Sequence, residues 1–193
     1  MRIFLAGATG VIGARLLPLM LDAGHLVAAM TRTPEKADAL RASGAAPIVC
    51  DLFDRAALTA AVDAFHPDVV VHQVTDLPDA LEDVAAFLPA NNRVRSEGTR
   101  NLLAAARAAH APGFVAQSIA WRGGPVIDAH EQDVVAAGGT VLRYGRFYGA
   151  GTYYPGEPPP PPRIHVDDAA RRTMPFLMGP PGIFTLAEDT TAS

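Results

Sequence analysis

Three glycines spaced three apart, in Gly7-Ala8-Thr9-Gly10-Val11-Ile12-Gly13, are the residues of this chain best suited to hold an anion. They follow a short apolar run, Ile3–Ala6, and open a stretch with helical spacing, Val11–Ala23. In that setting Gly7 turns the chain out of a strand, Gly10 lets the backbone approach a pyrophosphate, and Gly13 lets the helix lie close on the sheet. The free N–H groups and dipole of the helix N-terminus then face the phosphate. The same glycines elsewhere would say little; between a strand and a helix they point to a dinucleotide. The bland alternative is a structural turn without a ligand.

Residues for proton transfer are fewer. Ser118 ends one apolar run, and His130 and Glu131 lie on the helical stretch that follows, twelve residues further on. His130 and Glu131 can do acid/base work; the alternative for both is a solvated helix face. Tyr144 and Tyr148 either border the reacting centre or pack between the sheet and a proline-rich loop. Trp121 is expected to line a small pocket. Asp76, Asp79, Glu82 and Asp83 read as a solvated helix start. No Cys/His spacing suits zinc, so no metal is expected. The most consequential count is lysine: of 16 basic residues, 15 are arginine and the only lysine is Lys36.

The elements that must position these residues alternate. Apolar, β-rich runs occur at Ile3–Ala6, His25–Met30, Pro47–Cys50, Asp68–His72, Phe114–Ser118 and Thr140–Arg143. Helical spacing fills the gaps at Val11–Ala23, Pro34–Ala42, Arg55–Phe65, Asn92–His110 and Ile127–Ala137. This alternation predicts right-handed βαβ units: an α/β, Rossmann-like, doubly wound parallel sheet with helices on both faces. A nucleotide-binding domain is expected over residues 1–145, with a reduced C-terminal substrate portion, 146–193, packed on it. After Arg143 the pattern breaks into glycines and the run Pro158–Pro162, read as a stiff polyproline II connector or, less simply, a ligand for an SH3-like partner. A helix over Val166–Met178, capped by Asp167 or Asp168, and a strand over Ile183–Leu186 close the chain, with a frayed tail from Glu188.

Composition narrows the partners. A net charge of −4 gives no basic surplus for nucleic acid. No uninterrupted apolar stretch of about 18 residues predicts a membrane span. The start reads as a buried strand rather than a leader, and the single cysteine, Cys50, excludes an internal disulfide; a cytoplasmic setting is expected. The six histidines are scattered, most expected at the surface.

Several stretches resemble one family. GATGVIG resembles the G-x-x-G-x-x-G fingerprint of the extended and atypical short-chain dehydrogenase/reductases, the NAD-dependent epimerase/dehydratase-like proteins. Asp51-Leu52 resembles the family's adenine-binding Asp-Leu, and Val69-Val70-Val71-His72 its fourth strand. Gly98-Thr99-Arg100-Asn101-Leu102-Leu103, Leu142-Arg143-Tyr144-Gly145 with Tyr148-Gly149, and His165-Val166-Asp167-Asp168-Ala169 resemble later motifs. The resemblance covers most of the chain and implies cofactor contacts from Gly7 to Gly13, at Asp51 and Leu52, and at Gln73 and Val74. It also implies a homodimer through Asn92–His110 and Ile127–Ala137. Where NAD-binding members carry an acid after strand two, this chain reads Met30-Thr31-Arg32-Thr33-Pro34-Glu35-Lys36. Arg32 and Lys36 suit a 2′-phosphate, so NADP(H) is expected ahead of NAD(H).

The family's Tyr-x-x-x-Lys pair is absent, because no tyrosine stands four residues before Lys36. The resemblance therefore implies an oxidoreductase on a small organic substrate, but without the usual proton donor. Candidate donors are Ser118, Glu131, His130 and Tyr144. A redox-neutral cyclase, isomerase or dehydratase, or a nonenzymatic NADP(H) sensor, are the alternatives.

Overall fold

The computed structural model describes residues 1–188. Parallel strands form at β1 (Arg2–Ala6), β2 (Leu26–Thr31), β3 (Ala46–Val49), β4 (Val69–His72), β5 (Gly113–Ile119) and β6 (Thr140–Tyr144), all largely buried except the half-exposed edge strand β3. Each lies within a residue or two of an apolar run in the sequence. A seventh main-sheet strand, β9 (Gly182–Leu186), joins them in the order β3-β2-β1-β4-β5-β6-β9, every pair parallel.

Alternation along β1 shows how the sheet builds two cores. Ile3 and Leu5 face a core with Leu16, Leu17 and Met20 of α1 (Gly13–Asp22) and Ala169 and Ala170 of α7 (Val166–Thr173). Phe4 and Ala6 face a second core with Leu58 and Val62 of α3 (Arg55–Phe65), Leu102 and Ala105 of α5 (Thr99–Ala108), and Val134 of α6 (Pro125–Ala136). A strand buried on both faces must be apolar throughout, which is why these runs lack polar alternation. Between β1 and β4 the winding direction reverses, and the crevice beyond the strands' C-terminal ends at such a switch is where ligands bind in open α/β sheets.

Several expectations are corrected. The helix expected from Asn92 begins eight residues earlier as α4 (Val84–Arg93), passes through a π-helical turn (Val94–Gly98) and continues as α5. The π turn seats Gly98 against Leu52, where a Cβ would lie 2.4 Å from Leu52 Cδ2. The irregular stretch after β6 contains two short parallel strands, β7 (Arg146–Tyr148) and β8 (Arg163–His165), joined by the proline run as a surface connector. The cap of α7 is His165, whose Nδ1 accepts from the Asp167 N–H, rather than either aspartate. The helix Pro34–Ala42 divides into a 3-10 turn (Pro34–Lys36) and α2 (Ala37–Ala42), and Val166–Met178 likewise ends in a 3-10 segment. Glu188 is anchored, donating its N–H to the Arg163 carbonyl at 2.8 Å; residues 189–193 of the expected frayed tail lie outside the described residues.

Candidate functional site

The glycine turn stands at the C-terminal end of β1. Gly7 adopts φ +86°, and a Cβ there would lie 2.7 Å from the Gln73 carbonyl carbon, so the turn also seats against the loop after β4. A Cβ on Gly13 would stand 2.0 Å from the Gly7 carbonyl oxygen, so α1 can approach the turn only through glycine. Gly10 is different: it is exposed, and its would-be Cβ meets only the Gly7 oxygen, at 3.4 Å. No side chain caps α1, and Ala14 is its first amide to bond back, to Gly10 at 2.9 Å. An open approach over Gly10 onto an uncapped helix end fits the pyrophosphate of a dinucleotide. Ala8 and Ile12 are buried beneath it, with Thr9 half-buried and Val11 exposed at its rim.

The flanking residues are placed as follows. Arg32 is 70% exposed beyond β2 and pairs with Asp76 at 3.3 Å across the crevice mouth. Lys36 is exposed on the 3-10 turn. Asp51 is exposed, and its Oδ1 accepts from the Phe53 N–H at 2.8 Å, bracing the turn after β3. Leu52 is buried, and its carbonyl accepts from Asn101 Nδ2 at 3.1 Å. Gln73 is also buried; its Nε2 donates to the Tyr144 hydroxyl at 3.3 Å, and its Oε1 has no partner among the described residues. The Val74 N–H donates to His72 Nδ1 at 3.3 Å.

Ser118, His130 and Glu131 do come together, but as buried anchors. Ser118 on β5 and Arg143 on β6 are register partners, and Glu131 on α6 lies over both. The Ser118 hydroxyl donates to Glu131 Oε1 at 2.5 Å, Arg143 Nε donates to the same oxygen at 2.9 Å, and Arg143 Nη2 donates to Oε2. Glu131 is 3% exposed, so the solvated-face alternative is overturned. Burial pulls its carboxyl pKa upward, but Arg143 and Ser118 outweigh this and hold it below the ordinary value. A carboxylate so saturated is a poor proton donor at neutral pH. Arg143 was the missed member of this clamp; an arginine inside an otherwise buried strand, Thr140–Tyr144, is itself a signal that a carboxylate faces it.

His130 belongs to a second buried chain. Its Nε2 donates to the Gln117 carbonyl at 2.9 Å, leaving Nδ1 to accept from the Thr99 hydroxyl at 2.8 Å. Thr99 in turn accepts from His72 Nε2 at 3.2 Å, and His72 Nδ1 accepts from Val74. Burial, then nearby Arg95, pushes His130 down to about 4; burial, His130 and Arg95 push His72 down as well. Both rings are therefore neutral at pH 7, and the chain ties the loop after β4 to β5 and α6. Buried Arg95, lowered to about 10 by desolvation, donates to the Gln117 carbonyl at 3.0 Å.

Tyr144 is not at the mouth. It is 2% exposed, hydrogen-bonded to Thr173 at 2.7 Å and packed on Phe147, and burial raises its hydroxyl to about 12. Tyr144 is thus a packed core residue, held by Phe147 of β7 and Thr173 of α7 rather than bordering the reacting centre. Tyr148 is engaged with Glu188 at 2.5 Å. The junction of β5 with α6 is apolar: a Cβ on Gly123 would lie 2.4 Å from Ile127 Cγ1 and 2.9 Å from Ile119 Cδ1. Trp121 projects beyond it, 38% exposed, with the Arg146 guanidinium 4.8 Å over its ring. A surface depression along Arg55, Thr59, Asp63 and Ala108 on α3 and α5 includes none of these residues. Among the described residues no cluster of His, Cys, Asp or Glu suits a metal, and no helix is long and apolar enough to cross a membrane.

Known proteins match this chain in sequence and in fold. Residues 3–152 match the family model described as NAD dependent epimerase/dehydratase family. A Streptomyces protein named 3-diazoavenalumate denitrifying reductase is 40% identical over 183 residues, an alignment that takes in 80% of this chain. The chain spans 59% of that relative's length. Among solved structures, the Thermus thermophilus UDP-glucose 4-epimerase, solved with NAD, superposes with a TM-score of 0.77 at 20% identity, covering 97% of this chain and 78% of its own. Bordetella bronchiseptica WbmH, solved with NAD+, gives 0.76 at 16% identity, covering 98% and 76%. At such identities these two show a shared fold.

Proposed function

This chain belongs to the NAD-dependent epimerase/dehydratase family, and from that premise we propose that it is a reductase using a nicotinamide dinucleotide, NADPH ahead of NADH, to reduce a small cationic acceptor of the diazonium class. The observation that carries this reading is the apolar junction Ile119–Gly123–Ile127 beside a clamped Glu131. The crevice offers a cradle suited to a dinucleotide, and none of Glu131, His130 and Tyr144 is free to donate a proton where β5 and β6 end. When bound, the reduced dinucleotide supplies hydride.

An acceptor that is already cationic needs no proton. Hydride adds at the carbon, the carbon–nitrogen bond breaks, and dinitrogen leaves with the bonding pair. The acceptor's positive charge is cancelled and reappears on the oxidised dinucleotide. The Streptomyces relative, by its name, reduces a diazo-bearing carboxylate with loss of nitrogen, which supports the same class here.

The chain's own residues then have three tasks. Gly10 and the α1 N-terminus hold the pyrophosphate, and Arg32, released from Asp76, meets the 2′-phosphate through its planar fork. Ile119 and Ile127 keep water from the mouth, where it would convert a diazonium to a phenol. Ser118, its hydroxyl given to Glu131, is not a nucleophile.

The test is incubation of the protein with para-carboxybenzenediazonium and NADPH deuterated at the nicotinamide C4 position. The expected product is benzoate with deuterium at the former diazonium carbon. Phenol formation alone, or protium at that carbon, overturns the reading. Binding of NADPH without turnover supports the sensor alternative, and tighter binding of NADH than NADPH overturns the cofactor preference.

A further inference from the structure

At the mouth of the crevice Arg146 is a cation that no described carboxylate pairs with. Arg143 is paired with Glu131, Arg163 with Glu188, Arg32 with Asp76 and Arg15 with Asp167. Arg146 has no such pair among the described residues, although it is fixed in place. It opens β7, two residues beyond β6, and its N–H donates to the Pro162 carbonyl at 2.8 Å. Trp121 stands two residues beyond β5, and the Ala120 N–H ties the two strand ends together through the Tyr144 carbonyl at 2.8 Å. These neighbours bring the guanidinium over the indole.

The donors divide unequally. Nη1 reaches only the Pro160 and Pro161 carbonyls, at 3.5 and 3.4 Å, which are long bonds. The Nε–Nη2 edge has no partner among the described residues. That edge can take a carboxylate bidentately, and stacking on an aromatic face orients the planar guanidinium and partly desolvates it.

We propose that Arg146, stacked on Trp121, is the binding group for a carboxylate on the acceptor. This rests on the reductase reading for its place in the reaction, but the binding itself can be measured without turnover. The acceptor class is thereby narrowed to flat organic acids, held by the carboxylate at one end with the reacting carbon turned inward along the sheet edge. Placing the anion on Arg146 also keeps the cationic group of the acceptor away from the guanidinium.

Trp121 is the only tryptophan, so its emission reports on this site directly. The whole protein, with and without NADP+, is titrated with 3-phenylpropanoate and with neutral 3-phenylpropanamide. The acid is expected to give a saturable emission change and the amide none. Arg146→Gln is expected to weaken the acid about tenfold or more, the scale of one charge-assisted bond, with Arg146→Lys intermediate. In turnover, Arg146→Gln raises KM for para-carboxybenzenediazonium by a similar factor, leaves kcat in place, and leaves KM for the para-methyl ester unchanged. Equal response to acid and amide, or unchanged affinity in Arg146→Gln, overturns the proposal. Selective acid binding without diazonium reduction keeps this site and discards the reductase reading; reduction with no preference for the acid does the reverse.

Discussion

Glu131 is the residue on which the reading turns, because a buried carboxylate beside a serine and a histidine is what an acid/base site would also contain. The substitution Glu131→Gln keeps the shape and removes the charge. In the native protein the carboxylate accepts three donors, one from Ser118 and two from Arg143. The amide leaves one acceptor and turns an NH2 group toward the guanidinium. Removing one partner of a fully buried ion pair costs about 3–5 kcal/mol. The Arg143 side chain is 40% exposed, so water takes up much of its charge and the expected cost falls to about 2 kcal/mol. For a domain of this size that corresponds to a fall in Tm of about 4–8 °C.

The pH dependence gives a second reading of the same variant. The folded carboxyl sits below its ordinary value of 4.5, so its stabilisation is complete above that pH and is lost as pH falls through the folded pKa. Thermal melts followed by circular dichroism should show the wild type above the variant at neutral pH and the gap closing in acid. Turnover, measured well below the variant's Tm, should persist with an unchanged pH profile. A variant with native Tm and abolished turnover would refute the reasoning, since the carboxylate would then act on substrate rather than on Arg143.

The glycine turn separates binding from folding. The Cβ of Gly10→Val meets only the Gly7 oxygen, at 3.4 Å, on an exposed turn, so the protein should fold with a Tm near native yet lose dinucleotide binding by calorimetry; retained binding would remove the cradle. Gly13→Ala puts a Cβ 2.0 Å from the Gly7 oxygen and should instead fail as a stability defect, seen as a large Tm loss or insolubility. His130 is held at about 4 against 6.5 when exposed, so the unfolded chain takes up protons that the folded one refuses as pH falls between those values. Stability should therefore begin to fall near pH 6.5, before the carboxylates titrate, in urea denaturation across that window; a flat profile there would contradict a neutral buried ring.

Most of the sheet was legible because a strand buried on both faces writes itself as a short apolar run, and the glycine turn was legible because its spacing is local. What escaped depended on contacts remote in sequence. The helix α4, Val84–Arg93, is largely exposed and carries Pro89, so neither amphipathic spacing nor propensity marks its start. The π turn exists because Gly98, Arg95 and Thr99 must meet Leu52, Gln117 and the two buried histidines, none of them near neighbours. The strands β7 and β8 have three residues each and lie on either side of prolines. The role of Glu131 was hidden for the same reason: its meaning is set by the register that puts Ser118 beside Arg143, and a single step in that register would have aimed Ile119 at it instead.

That register also bears on the proposed reduction, which needs no proton donor. A carbonyl reduced by hydride becomes an alkoxide, a strong base that must be protonated as it forms. The groups that might supply that proton are spent here on structure. Tyr144 is raised to about 12 and bonded to Thr173, Glu131 is held ionised by Arg143, and His130 is neutral with its Nε2–H given to a carbonyl. On the proposed reading, a site whose acids are already bonded in this way would disfavour carbonyls and leave the acceptors whose reduction ends in a neutral C–H bond. The same three engagements stiffen the ends of β5 and β6, from which Trp121 and Arg146 project. On the proposed reading, the rigidity that removes the proton donor is also what would set the Trp121–Arg146 pair in a fixed place at the mouth.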